Sequence, residues 1–272
     1  MVWGATFPVV KGALADAGVW TFLAVRFGLA AVLLAPTARR ARWPRSPWVA
    51  ACGVALLAGY AFQTWGLVTT TPARSAFITA LSVILVPLVE PLVGMARLTW
   101  RVVTGALLAL TGLGVLLRPE SGAASLGDIL TFGCALAFAA HTLLVQRAVR
   151  EVDASAVNAW QVVIVGALAL PFGLTDTAPL HLTWRLGGAV VVTAVLATVA
   201  AFWALAAAQQ VLSAGETAVM LACEPLAAAV ISVLLGSDAL TSALVAGGCL
   251  VIAGAVLATT NPAPPRIVAD LH

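Results

Sequence analysis

The sequence predicts an all-α integral membrane protein whose ten transmembrane helices form a five-plus-five inverted-topology repeat. Three observations carry that expectation: the composition, a series of apolar segments of bilayer length, and a self-similarity between the two halves of the chain. Hydrophobic residues make up 62% of the 272 and charged residues only 9%, with a mean hydropathy of +1.05. A soluble chain carries about a quarter charged residues. So few charges cannot cover the surface of a water-soluble domain, so the solvent for most of this chain is lipid. The net charge of +3, with one Lys among fourteen basic residues, points to no particular partner.

The apolar segments follow in order. The chain opens on "MVWGATFPVVKGAL", and later segments cover residues 19–36, 48–67, 74–94, 101–117, 127–146, 155–174, 185–206, 214–236 and 242–259. Their length, about 17–25 residues in most cases, suits a helix crossing a bilayer. Their continuous apolar character lacks the alternation of a membrane barrel strand. The longest polar connections, "TARRARWPRSP", "RPESGAASLGD" and "TDTAPLHLTWR", are loops too short for a soluble domain. Counting connections alternately puts Arg39, Arg40, Arg42, Arg45, Arg97, Arg101, Arg147, Arg150 and Arg266 on one side, with Arg74, Arg118 and Arg185 on the other. The richer side is the cytoplasm by the positive-inside rule, so both termini are expected there, in the inner (cytoplasmic) membrane.

A shift of 142 residues aligns "ARSAFITAL" (73–81) with "GETAVMLAC" (215–223), and pairs Gly94 with Gly236, Leu98 with Leu240, Thr99 with Thr241, Gly105 with Gly247 and Gly112 with Gly254. Segments four and five thus map on nine and ten. An offset of five spans reverses the direction of crossing, which defines an inverted repeat. The expected units are residues 1–122, residues 123–260 and a short cytoplasmic tail at 261–272.

A shift of 135 pairs "WGATF" (3–7) with "FAAHT" (138–142) and Arg26 with Gln161. The helix matching the first segment begins near Gly127, so the first span is expected to lack two or three turns, with the true start about ten residues upstream. A cleaved signal peptide is the competing reading, against which stand the missing basic n-region and the positions of Pro8 and Lys11. Cys52, Cys134, Cys223 and Cys249 lie apart in apolar runs and read as small buried hydrophobes. No metal or cofactor is expected.

"VWGATFPVVK", "FLAVRFGLAAVLL", "TTTPARSAFITALSVILVPLV" and "SAGETAVMLACEPLAA", in this order, resemble the EamA family of the drug/metabolite transporter superfamily. The likeness extends over essentially the whole chain. It implies a secondary active transporter that moves small organic metabolites or drugs across the cytoplasmic membrane by alternating access, amino-acid or metabolite export among its modes. The chain departs from the family in its short leader before the Trp-Gly pair. It also has "GMARLT" and "GSDALT" where a Gly-Glu-Arg-like turn is common. The implied partners are a small-molecule solute and the bilayer, with no nucleic acid; no oligomeric state is predicted. An integral membrane enzyme acting on a lipid or prenyl substrate is the alternative, although no loop holds the clustered nucleophile or ligands it needs. A channel would show rings of repeated groups.

Candidate residues follow from the cost of charge in lipid. Arg26, seven residues into its helix, either offers a planar fork to an anionic solute or clamps another helix. Glu224 is the expected coupling carboxylate, and Pro225 after it frees the Leu221 carbonyl. Pro87 is the helix-break position of the first half. Glu90 reads as a carboxylate snorkelling to a nearby span end, and Glu216 as a partner of its helix N-terminus. Gln63, His141, Asn158 and Gln161 need hydrogen-bond partners inside apolar spans, as cavity lining or as helix-helix contacts. Trp3 joins the substrate path on the family resemblance alone.

Overall fold

Most long apolar segments fold here as single helices, Val19–Ala41 and Ala154–Leu174 continuing through Pro36 and Pro171, while the segment at 74–94 folds in pieces. The computed structural model describes residues 2–95, 99–117, 123–223 and 241–259, and every regular element among them is helical. The elements are α1 (Val2–Ala13), α2 (Val19–Ala41), α3 (Pro47–Thr69), α4 (Pro72–Thr79), α5 (Ser82–Val89), α6 (Trp100–Leu117), α7 (Leu126–Ala148) and α8 (Ala154–Leu174). They continue with α9 (Trp184–Ala194), a π-helical segment (Val195–Ala200), α10 (Ala201–Ala208), α11 (Ala214–Leu221) and α12 (Ser242–Thr259). Five stretches are long and apolar enough to cross a membrane: α2, α3, α7, α8 and the continuous run Trp184–Ala208. Shorter apolar helices lie at Arg74–Val89, Trp100–Val115 and Ser242–Ala258.

Start signals are local. Thr71, Thr183, Ser125 and Ser213 each accept the backbone N–H three residues on, the usual way a hydroxyl satisfies an orphan donor of the first turn. At Ser125 and Ser213 the reciprocal bond is also made, by Asp128 and Glu216, completing two capping boxes. Glu216 therefore serves its helix N-terminus as the sequence suggests. The α2 helix continues past Pro36 to Ala41, placing Arg39 and Arg40 in its last turn, where cations complement the negative end of the macrodipole.

The segment read as one span at 74–94 is two helices. The interruption falls at Ala80–Leu81, while Pro87 lies inside α5. Pro87 is thus not the break itself. The missing N–H leaves the Val83 carbonyl without its α-helical partner; at the interruption Val83 N–H and Ile84 N–H bond three residues back, to Ala80 O and Leu81 O, and the four-residue ladder resumes with Leu85 N–H on Leu81 O. The second break residue, Pro225, and Glu224 before it lie outside the described residues.

Packing is dominated by three helix pairs, α2 on α8, α3 on α7 and α6 on α12. The α6–α12 contact is a backbone seam. A Cβ on Gly105 would come within 2.5 Å of Gly254 O, and one on Gly112 within 2.6 Å of Gly247 O. Glycine permits this approach because no side chain stands between the chains, the device that replaces the hydrophobic effect as a source of helix contact in lipid. The largest cluster of buried apolar residues joins α1, α2, α3, α8 and the α9–α10 run, with Phe22, Leu23, Phe27 and Leu56 almost fully enclosed. The faces turned outward, such as Val32 and Leu92, are apolar as well, as lipid-facing helix surfaces are.

Candidate functional site

A cavity of about 140 Å³ opens where α1, α3, the α4–α5 interruption, α7, α10 and the end of α11 converge. Its walls are aromatic. Trp3 and Phe202 meet at 5.0 Å between centroids, Tyr60 meets Phe138 edge-on at 5.3 Å and Phe202 at 6.1 Å, and His141 meets Phe202 at 5.5 Å. Neutral polar groups complete the lining, chiefly Gln63, Thr79, Ser82 and Thr142. Among the described lining residues there is no carboxylate. Broken or bent helices at this depth are tolerated because their freed backbone groups face a cavity.

Of the residues singled out from sequence, Trp3, Gln63 and His141 reach this wall. Gln161 stands one bond behind it, its Oε1 2.8 Å from His141 Nε2. Its amide nitrogen is buried with no hydrogen-bond partner among the described residues. Arg26 and Asn158 do not line the cavity. They converge instead on the π-helical segment, as does the indole of Trp3. Arg26 donates through Nε and Nη2 to Thr198 Oγ1 at 3.2 and 3.1 Å, Asn158 Nδ2 donates to Val199 O at 3.0 Å, and Trp3 Nε1 donates to Ala197 O at 2.6 Å. A π turn is rare and costs ordinary helical bonds. Here three donors from three other helices engage consecutive residues of it.

The Arg26 guanidinium, 1% exposed, also lies over the Tyr60 ring, 4.2 Å from its centroid. Tyr60 therefore connects the buried cation to the cavity. Sequence reasoning missed Tyr60, although it is the single tyrosine of the chain and interrupts an Ala-, Gly- and Val-rich span. It also missed Phe138 and Phe202, which carry no such signal.

The two ends of the bundle are tied differently. At the end holding the α8–α9 loop, Asp16 accepts from Arg185 Nε and Nη2, both at 2.9 Å, and from Thr183 Oγ1 at 2.8 Å. The Arg185 bonds, with Thr183 adding to them, hold the Asp16 carboxyl below the usual carboxylate range. Asp176 caps α2 through the backbone N–H groups of Trp20 and Thr21. Burial raises its proton affinity, but the amide bonds outweigh it and the carboxyl again sits low. Lys11 Nζ reaches the carbonyls of Leu67, Val68 and Thr70 at the C-terminal end of α3. At the opposite end Arg147 Nη2 donates to Val93 O at 2.8 Å and Trp48 Nε1 to Glu151 Oε1 at 3.1 Å. Glu90, read from sequence as snorkelling, is 4% exposed and bonds the start of α11. Its solvation is supplied by helix amides rather than by water.

The model of the EamA-like transporter family matches residues 1–118 and 125–260. The chain belongs to the EamA-like transporter family. An uncharacterized transporter of Archaeoglobus fulgidus is 31% identical over 257 residues, which cover 94% of this chain and 82% of that relative. A solved crystal structure of a protein not further described has 20% sequence identity, a TM-score of 0.77 and 94% coverage of both chains, which shows the shared fold. Family membership makes this a multi-pass membrane transport protein. In this EamA-like chain the aromatic cavity is lined by residues of both matched stretches, 1–118 and 125–260.

Proposed function

We propose that the chain is a secondary active transporter that carries small organic metabolites or drugs across the cytoplasmic membrane by alternating access around the aromatic cavity. The ten spans then divide five and five, residues 1–122 against 123–260, with the tail 261–272 and both termini in the cytoplasm. One observation carries the reading: the cavity wall is built from residues paired at the two offsets found in the sequence. Trp3 with Phe138, Thr6 with His141 and Phe7 with Thr142 stand 135 apart; Tyr60 with Phe202, Gln63 with Leu205, Thr79 with Leu221 and Ala80 with Ala222 stand 142 apart. Binding at the interface of inverted repeats is the arrangement that lets two halves exchange roles about a fixed site. The matching caps support it too, since Thr71 and Ser213, also 142 apart, each begin an eight-residue helix ending at Ala80 or Ala222.

The glycine seam suits the same symmetry, because Gly105 facing Gly254 is exchanged by the offset with Gly247 facing Gly112. The family matches to 1–118 and 125–260 divide the chain near the same point. Arg26 and Asn158 act in this scheme by fixing the π-helical segment behind Phe202, and Gln63, His141 and Trp3 meet the solute directly, with Gln161 orienting His141. Glu224 remains the proposed coupling carboxylate and Pro225 the proposed break of the second half.

Metabolite retention compared between cells with and without the gene identifies candidate solutes, and flux of each into proteoliposomes tests them. The expected result is a solute that moves only when protein is present, with His141→Ala and Tyr60→Ala lowering flux at least tenfold while the folded yield is kept. Wild-type flux in both variants overturns the assignment of the cavity.

A further inference from the structure

We propose that Glu90 is a proton-binding latch that fastens α5 to α11 at the arginine-rich end of the bundle and releases when protonated. It goes beyond the transport reading and needs no solute for its test.

The start of α11 has four backbone donors to satisfy. Its capping box takes two, Glu216 N–H on Ser213 Oγ at 3.1 Å and Ser213 N–H on Glu216 Oε2 at 2.8 Å. Glu90, on the neighbouring helix, takes the other two: Oε1 accepts from Ala214 N–H at 3.2 Å and Oε2 from Gly215 N–H at 3.0 Å. Ala214 N–H has a second acceptor in Gln146 Oε1 at 3.0 Å. Both carboxylate oxygens therefore face donors, at the positive end of a helix dipole. A carboxylate suits that setting and a carboxylic acid does not. Taking up one proton converts one acceptor site into an O–H and removes the charge from both oxygens, so the two bonds lose their charge assistance and the charge that answers the dipole is gone.

Gly215 is part of the design. A Cβ there would stand 2.7 Å from Glu90 Oε2, so a side chain at this position would push the carboxylate from the place it takes on the amide. Among the described residues, the charged groups on the surrounding elements are Arg147 and Arg150 of the α7 end, Glu216 of α11 and Arg101 in the first turn of α6. Arg147 and Arg150 donate to the carbonyls of Val93 and Met95, and Glu216 Oε2 accepts from Ser213 N–H. Arg101 stands over the Trp100 ring.

The latch is mechanically connected to the cavity. Ser82 and Val83 at one end of α5, and Leu221 and Ala222 at the far end of α11, line it. One eight-residue helix, about 12 Å at 1.5 Å per residue, separates the latch from the wall on each side. Freeing α11 from α5 thus loosens two helices that form the cavity wall.

Hydrogen exchange on the full chain in lipid nanodiscs, followed across a pH series and corrected for intrinsic exchange, reads the latch directly. In the wild type, the peptide covering 214–221 is expected to lose protection at least tenfold as pH falls, while peptides of α2 and α8 keep theirs. In Glu90→Gln the same peptide exchanges fast at every pH. Wild-type protection in Glu90→Gln, or a pH response surviving in it, overturns the proposal. Should Glu90→Gln fail to fold, Gly215→Ala decides: its methyl group displaces the carboxylate, so the pH response must shrink, and an undiminished response overturns the latch. Because no solute enters the measurement, its failure is separate from failure of the transport assay.

Discussion

Arg26 shows what a buried charge in lipid needs. Its guanidinium finds a hydroxyl at Thr198 and the faces of Phe27 and Tyr60, at 5.0 and 4.2 Å, and aromatic faces attract a desolvated cation more strongly than they do an exposed one. The hydroxyl is itself committed, donating to Thr193 O at 2.8 Å, so both lone pairs remain for the arginine. Asp16, buried in the connection between α1 and α2, shows the same logic. With the folded carboxyl held below its ordinary value of 3.8 by Arg185 first and Thr183 second, the unfolded chain binds that proton more readily. The stabilisation is therefore complete above the ordinary value and is lost as pH falls below it through the folded one. Thermal unfolding followed by tryptophan fluorescence should show a falling acid limb in the wild type and a flatter one in Asp16→Asn. An unchanged acid limb in that variant would sink the assignment.

At the scale of elements, the contrast between glycines is the informative one. On α6, Gly112 faces backbone atoms of α12 and cannot accept a side chain without separating the two helices. On α2, a Cβ at Gly28 meets nothing within 4 Å. Gly112→Leu is expected to lower stability by roughly 1–3 kcal/mol or more, the range for overpacking. Gly28→Ala is expected to be neutral or stabilising by about 1 kcal/mol, through helix propensity. Melting temperatures in one detergent compare them, and a similar shift for both would remove the seam from the account. The interrupted fourth span belongs here too. Its position could not be taken from Pro87 alone, because a proline weakens the preceding turn without fixing where the ladder resumes. Beyond the interruption α5 packs on α6, α7 and α11.

For the whole molecule, the loops assign the ends. Residues 42–46 join α2 to α3, and 175–183 join α8 to α9 at the opposite end. Arginine bias predicts that the first of these is cytoplasmic. A cysteine placed at exposed Arg45 should react with an impermeant maleimide only in inverted vesicles, and one at exposed Leu182 only in intact cells. Reversed labelling would overturn the proposed topology. This is also the scale at which the sequence was most legible: α2, α3, α7, α8 and the run Trp184–Ala208 fall within or close to the apolar segments read at 19–36, 48–67, 127–146, 155–174 and 185–206.

The candidate site was legible only in part. Gln63 and His141 stood out as polar residues in apolar runs, since lipid makes each such group costly to leave unpaired, whereas Trp3 entered through the family resemblance. Composition, segment length and the missing alternation of barrel strands by themselves determined that the chain is a helical membrane protein, because a bilayer core of about 30 Å admits only helices and closed barrels. Which buried polar group faces a cavity and which faces a helix was decided by tertiary structure alone. Arg26 and Asn158 look no different in sequence from His141, yet they hold the π-helical segment while His141 lines the space beside it. The direction a side chain takes depends on helix rotation, which is set by partners far away in the chain. Glu90 is the clearest case: its charge was visible, but the two amides that receive it lie at Ala214 and Gly215, and only folding brings them together.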